Sequence, residues 1–503
     1  MSYLLGIDNG LTVTKAVVFD ADGRVRGMGA LPSHQHHPRP GWVEKDPDRQ
    51  WGDTCEVIGR ALRQSGISAH AVAAVAFTGH GDGLYTVDAE GRPVRPAITS
   101  LDARGGGILE QLDREGVPGR VLPLVGEVPF GVQPAVLARW VKENEPDIYN
   151  RIAWVLSCKD WLKYKLTERI STDPTDASAG FTDVRTQRYS EAALSLYGLA
   201  ELWDKLPPIV GSAQIAGEVT RAAARQTGLA AGTPVVSGLH DCDASALGSG
   251  CTLPGQLMVI AGTFSINELI SEDPIADPAV LCRNWIEPGR WMNISLSAAS
   301  AINLEWYVQQ LAPEAAQAAH QVGRSPFAFV NDEVQAVLDD PSDIIYLPFL
   351  YGAPDNPDCS AALLGLRGWH RRGHVLRAIY EGAVFNHRTH VDALRAHFTI
   401  TECRLAGGGA RSAVWAQMFA DGLGMPVSVT DAAEAGALGA AICAGVGVGM
   451  YTSITDGANR TTSIARRFEP DSRRSKRLET GYQRYQEVVR AVRPLWTGDG
   501  VAN

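Results

Sequence analysis

No run of about 18 apolar residues occurs anywhere in the 503-residue chain, so no membrane-spanning helix is predicted. The opening residues, MSYLLGIDNG, carry no basic head and no apolar run of signal-peptide length. A cytoplasmic protein is therefore expected. Cysteine is sparse: eight residues are scattered singly, with no CxxC pair. That pattern excludes a disulfide framework and fits reduced, buried thiols. An excess of positive charge is also missing, with 46 basic against 56 acidic residues and a net charge of −10. The longest basic stretch, RRSKR at Arg473–Arg477, reads as a solvated helix start, so no nucleic-acid partner is expected.

Several motifs are absent as well. There is no GxxxxGK[ST], which excludes a P-loop, and no HExxH or GxSxG. GGGARS and GVGVGM both miss the GxGxxG form. His387, His390 and His397 in HRTHVDALRAH spread around a helix without partner cysteines and read as ordinary helix histidines.

What is present is a chain too long for one core, which predicts two or three domains. The segment YLLGIDNGLTVTKAVVFDADGRVRG reads as a β-meander. Its first turn carries Asp8, Gly10, Thr12 and Thr14, whose hydroxyls and N–H groups suit a phosphate chain or simply close a hairpin. A helix is predicted from about Asp48 to Gln64. The loop His80-Gly81-Asp82-Gly83 then follows a buried apolar run, at a strand's C-terminal edge where ligands collect in open α/β sheets. Asp102 and Arg104 follow the next strand. Residues 135–230 read as mainly helical, and GTPVVSGLHD as a buried strand. GQLMVIAGTFSINELI repeats the strand–turn–strand theme of the N-terminus, so a second domain is predicted to start near Gly250. Beyond it lie a strand, glycine turn and helix in RLAGGGARSAVWAQMFADG, a small-residue helix in EAGALGAAICAGVGVG and an amphipathic helix over Ser472–Val492.

Three glycine turns thus end strands: Asp8-Asn9-Gly10, Gly262-Thr263 and Gly407-Gly408-Gly409. Glycine lets the backbone approach a nucleotide, and the last turn is read as opening a helix whose N-terminus favours an anion. Asp8 has the position and charge to hold Mg²⁺ through water. Together these point to an ATP-dependent phosphotransferase without a P-loop. One cluster stands apart: His240, Asp241, Cys242 and Asp243 are consecutive. If the preceding strand continues through them, Asp241 and Asp243 share one side while His240 and Cys242 point away, which weakens a four-ligand metal site. Asp243 is then expected to cap the helix beginning in ASALG, with His240 and Cys242 as packing residues.

The stretches GIDNGLTVTKAVVFD, PGWVEKDPDRQW, SLDAR, HDCDASALGSG, IAGTFS, LPFLYG, IYEGAVFNH, AGGGARSAVWAQMFAD and EAGALGAAICAGVG span nearly the whole chain. In this order they resemble the FGGY carbohydrate kinases, of the actin/hexokinase/heat-shock ATPase superfamily. The resemblance implies an α/β fold of two ribonuclease-H-like (actin-like ATPase) domains, 1–248 and 249–492, with ATP and sugar in a cleft between them. It implies ATP and Mg²⁺ as cofactors, with Asp8 at the metal. Gly10, Thr12, Thr14 and Lys15 match the first phosphate turn, and Gly262 and Thr263 the second. Gly408, Gly409 and Ser412 match the nucleotide turn. Asp241 matches the base that takes the proton of the sugar hydroxyl, and His80, Asp82 and Asp102 match sugar-pocket positions.

Many D-xylulose kinases of the family read Gln-Met-His-Gly where this chain has His80–Gly83, and tryptophan where it has Ser100. Ser100, LPPIVGSAQIAGEVT, LPFLYG and IYEGAVFNH look like the L-xylulose (3-keto-L-gulonate) kinase branch. CKDWLKYKLT, TDPTDAS and the GDG of the loop look like erythritol kinases. The expected substrate is a ketopentose such as L-xylulose or D-xylulose, with a tetritol as the alternative. Two other classes stand beside it: an actin-like ATPase module without sugar chemistry, and a metal hydrolase built on His240–Asp243. For assembly, symmetry statistics alone suggest a homodimer.

Overall fold

Asn9-Gly10 reverses the chain between strands β1 (Tyr3–Asn9) and β2 (Val13–Phe19), which pair antiparallel with Asn9 opposite Thr14. A third strand, β3 (Val25–Pro32), returns beside β2. Helix α1 (Pro47–Ser65) follows, capped by the Asp46 carboxylate at its start and by left-handed Gly66 at its end. Its inward face, Trp51, Thr54, Val57, Ile58 and Ala61, recurs at helical spacing and is buried. Strand β4 (Val72–Gly79) then lies parallel to β1, a crossover that an intervening helix permits. These observations come from a computed structural model that describes residues 2–353 and 358–496.

Two compact units result. The first takes the residues up to Pro254 together with two returning segments, Ile270–Asn293 and Asp431–Ser463. Its sheet is completed by β5 (Ile215–Glu218) and β6 (Pro234–Val236), in the order β5–β6–β4–β1–β2–β3. Leu5, Ile7, Val18, Val57, Phe77 and Trp161 form its core. Each such fully buried side chain contributes about 1.5–3 kcal/mol. Within residues 135–230, expected to be mainly helical, lie helices such as Pro134–Asn144 and Cys158–Thr167, and a separate apolar cluster between β4 and β5 includes Val121, Leu137, Tyr197 and Leu202.

The second unit takes Gly255–Leu269, Ile294–Thr430 and the chain from Ile464 onward. Its hairpin, β7 (Gln256–Ala261) and β8 (Ser265–Ser271), repeats the N-terminal one. After β9 (Leu281–Asn284) come β10 (Trp291–Ser297), β11 (Glu402–Ala406), β12 (Val427–Thr430) and β13 (Ile464–Phe468). They run in the order β10–β8–β7–β11–β12–β13, with β11 parallel to β7 and to β12. Both sheets therefore place β1, β2, β3 or β7, β8, β10 side by side, and beyond the first of each come two strands parallel to it, β4 and β6 or β11 and β12. The faint echo in sequence is a duplicated topology. No helix among the described residues is long and apolar enough to cross a membrane.

Within the first unit, helix α2 (Asp241–Gly248) and the small-residue helix α5 (Ala435–Gly447) meet backbone to backbone, with α3 (Arg372–Arg395) and α4 (Ala413–Leu423) lying earlier in the chain, in the second unit. A Cβ on Gly439 would sit 2.1 Å from the Ala244 carbonyl oxygen, and one on Gly248 would sit 1.9 Å from that of Ala435. Strand β1 is as close: a Cβ on Gly6 would lie 1.9 Å from the Ala437 oxygen.

Gly439→Ala should thus lose about 1–3 kcal/mol, because backbone must move to admit the methyl group. Gly107→Ala, at a helical position with nothing within 4 Å, should instead gain about 0.5–1 kcal/mol. Urea unfolding followed by circular dichroism gives both signs.

Candidate active site

Asp8 sits on β1, opposite Lys15 on β2. Lys15 Nζ lies 2.7 Å from the carboxylate of Glu434, the residue that leads into α5. Burial and the nearby charges of Asp241 and Glu434 push the Asp8 carboxyl up to about 7, against the opposing pull of Lys15. Gly436 lets α5 approach: a Cβ there would come within 2.8 Å of an Asp8 carboxylate oxygen. Gly10 closes the turn through its N–H to the Val13 oxygen, and Thr12 is exposed at the tip. Thr14 differs from the expected phosphate hydroxyl. It is buried, and its Oγ1 lies 3.3 Å from both Asn9 Oδ1 and Ser33 Oγ, because the antiparallel register turns it inward.

The stretch His240–Asp243 does not continue the strand. β6 ends at Val236, Gly238 turns with φ 83, and α2 begins at Asp241. Alternation of faces therefore does not apply. His240, not Asp243, occupies the N-cap place. The turn is held from below by a buried ionic cluster. Lys159 Nζ lies 2.7 Å from Asp160 and 2.9 Å from both Asp173 and Asp176. Asp173 accepts from Thr175 Oγ1, which in turn accepts the His240 N–H at 2.8 Å.

Asp241 is the accessible member of this stretch, its side chain 40% exposed against 4% for His240 and 3% for Asp243. Its Oδ2 accepts the Gly81 N–H at 3.2 Å and its Oδ1 the Cys242 N–H at 2.8 Å. Gly81 is required for the approach: a Cβ there would lie 1.8 Å from His240 Nε2. Ligand atoms of His240, Asp241 and Cys242 lie within 4.8 Å of one another. His240 is not the packing residue expected. Its Nε2 stands 3.2 Å from Arg283, a buried arginine on β9 that also meets Asp82 at 2.8 Å and Glu127 at 3.0 Å.

His80 is buried, with Nε2 3.1 Å from the Tyr85 hydroxyl, and burial keeps its ring neutral. Asp82 adopts a left-handed φ of 55, held there by Arg283. Asp102 is closed off: it pairs with Arg104 at 2.8 Å through both oxygens and takes the Val43 N–H at 2.6 Å.

In the second unit Gly262 and exposed Thr263 form the β7–β8 turn, with the Gly262 oxygen accepting the Ala301 N–H at 2.8 Å. Gly407 has φ 82, and a Cβ there would lie 2.7 Å from the Ala261 oxygen. The glycines, expected to open the helix directly, do not; a 3₁₀ turn, Gly408–Arg411, intervenes, and Ser412 caps α4 through the Trp415 N–H. The backbone needs that extra turn to leave β11 past the close contact at Gly407. His387 bonds Ser265 and Ser300, and His390 bonds Ser295 and Ser297, which accounts for both without a metal.

Sequence reasoning missed Glu434, Glu127 and Arg283. Only Arg283 left a signal, a lone charge in the otherwise uncharged stretch Ala279–Ile286.

Two sequence profiles match the chain: the N-terminal domain of the FGGY family of carbohydrate kinases over residues 3–248 and the C-terminal domain over 257–448. The L-xylulose/3-keto-L-gulonate kinase of Escherichia coli (strain K12) is 33% identical, over 97% of each chain. A probable L-xylulose kinase of Haemophilus influenzae is 32% identical over 98% of this chain and 100% of its own length. The crystal structure of xylulose kinase from Rhodospirillum rubrum superposes with a TM-score of 0.89 at 27% identity, covering 99% of this chain and 100% of the other. The chain belongs to the FGGY family of carbohydrate kinases. It is a phosphotransferase with two α/β domains of the actin-like ATPase type, and it takes a sugar-class substrate with ATP as co-substrate. A bare ATPase module and a metal hydrolase are both displaced by that membership.

Gly436→Ala should cut sugar phosphorylation by about 10²-fold, since displacing a reacting group by about 1 Å costs that much. Coupled kinetics on folded variant protein measures it.

Proposed function

We propose that the enzyme transfers the terminal phosphoryl group of ATP to a terminal hydroxyl of a small, uncharged sugar, a ketopentose such as L-xylulose or D-xylulose. The observation that carries this reading is Asp241: a half-exposed carboxylate at a helix start, held by two backbone N–H groups and surrounded by buried residues. It takes the hydroxyl proton as the new P–O bond forms and the bond to ADP breaks. Such transfer depends on positioning and charge neutralisation. Gly10, Thr12 and Lys15 form the first phosphate turn in this reading, with Thr14 as its inner buttress. Gly262 and Thr263 form the second, and Gly408, Gly409 and the Ser412-capped helix serve the nucleotide. His80 and Asp82 line the sugar pocket, while Asp102 shapes it through Arg104 and Val43.

The donor set around Asp8 fits a hydrated Mg²⁺, because Asp8, Asp241 and Glu434 raise the cost of negative charge there. Bound at Asp8, the cation would supply charge neutralisation for the phosphates. The reading assigns sugar to the first unit and nucleotide to the second, in a cytoplasmic enzyme; a homodimer rests on symmetry statistics alone.

An uncharged sugar is favoured because Lys15 is already paired with Glu434, and Arg283 with Asp82 and Glu127. Turnover over L-xylulose, D-xylulose, D-ribulose, L-ribulose, erythritol, glycerol and 3-keto-L-gulonate tests it. A ketopentose should give the highest kcat/KM, and a clear preference for the acid would remove the argument from charge. Asp241→Asn should lower sugar phosphorylation by about 10²–10⁴-fold with ATP binding by calorimetry nearly unchanged. Near-normal turnover of that variant would remove the base assignment.

A further inference from the structure

The returning segment Ile270–Asn293 brings one buried cation into the first unit. On β9 the Cys282 N–H bonds the Gly126 oxygen at 2.9 Å, and Asn284 bonds the Pro174 oxygen at 3.1 Å. Between them Arg283 is only 3% exposed. Its Nε faces Glu127, one terminal nitrogen faces Asp82 and the other faces His240 Nε2. Glu127 is fixed in turn by Gln133 at 2.6 Å, and Gln133 by Tyr197 at 2.9 Å.

A guanidinium only donates hydrogen bonds. The His240 nitrogen facing it must therefore offer a lone pair, which leaves the single proton of a neutral imidazole on Nδ1. That nitrogen lies 3.1 Å from Asp241 Oδ1. The Cys242 N–H also reaches Nδ1, at 3.3 Å, as the N-cap bond; its shorter bond, 2.8 Å, goes to the same Asp241 oxygen, and with the proton on Nδ1 it is given to Asp241 alone.

We infer that Glu127, Arg283 and His240 form a relay that fixes the His240 tautomer and so aims Asp241: Arg283 and His240 are positioning residues for the base. The inference rests on the assignment of Asp241 in the proposed function. Through the same guanidinium, Asp82 is tied to the relay, so the sugar-pocket loop and the base share one anchor.

The test uses full-length enzyme labelled with ¹⁵N-histidine. Long-range ¹H–¹⁵N correlation spectra report the tautomer, with the His240 signal identified by its loss in His240→Asn. The expected result is a proton on Nδ1 and none on Nε2 at neutral pH; a proton on Nε2 overturns the relay. Because Arg283→Met alone would strand buried Glu127, it is paired with Glu127→Gln. In the folded double variant the Nδ1 preference should vanish, and kcat should fall at least about 10-fold with the nucleotide KM unchanged. His240→Asn, which keeps a donor near Asp241, should retain more kcat than His240→Ala. Equal kcat in the wild type and the double variant overturns the inference. If Asp241→Asn keeps turnover, the base assignment fails while the tautomer result stands separately.

Discussion

The constraint on which the first unit depends is the absence of side chains where β1, α2 and α5 meet. Gly6, Gly248 and Gly439 each bring backbone against backbone at distances that forbid a single methyl group. Nothing in that contact is chemically reactive. Yet Asp8 lies one residue from the strand's end, Asp241 starts one helix, and Glu434 and Gly436 lie at the start of the other. Three carboxylates gather because three polypeptide segments can touch. Ordinary packing spaces helices 8–10 Å apart, depending on the side chains at the contact. Wider spacing here would separate carboxylates whose mutual repulsion holds the Asp8 carboxyl above its ordinary range.

Charge pairing follows a second rule. Two cations of the first unit are neutralised by acids from distant parts of the sequence. Lys15 meets Glu434 across 419 residues, and Arg283 meets Glu127 across 156. Buried pairs of this kind contribute little net stability but fix geometry, since either partner alone is costly to bury. The five-residue cluster of Lys159, Lys163, Asp160, Asp173 and Asp176 does the same beneath the His240 turn.

Much of the fold was legible. Hairpins, the amphipathic α1 and the terminal helix α6 (Ser472–Val492) followed from periodicity and turn residues, and the repeat of strand–turn–strand foretold the duplicated sheet. The stretch at His240 was misread because local pattern favoured a continuing strand. Gly238, whose Cβ would strike the Phe77 oxygen at 2.2 Å, forces the turn instead, a tertiary fact with no local mark. Thr14 and Asp102 were recognisable as polar residues beside a site, but whether a polar group faces ligand or protein depends on partners far along the chain. The roles of Glu127 and Glu434 were invisible for the same reason.

The order in which the ribosome delivers these parts has its own consequence. The first unit borrows Ile270–Asn293 and Asp431–Ser463 from beyond its sheet, and α5 with Arg283 is among what it borrows. Domains commonly fold as their residues emerge, N-terminal first. This one must wait until almost the entire chain has been synthesised. The nascent first half therefore exposes the face of β1 and α2 that α5 will cover, throughout the synthesis of the second unit. The contact of α5 with β1 and α2 is also one that no product truncated before α5 can make.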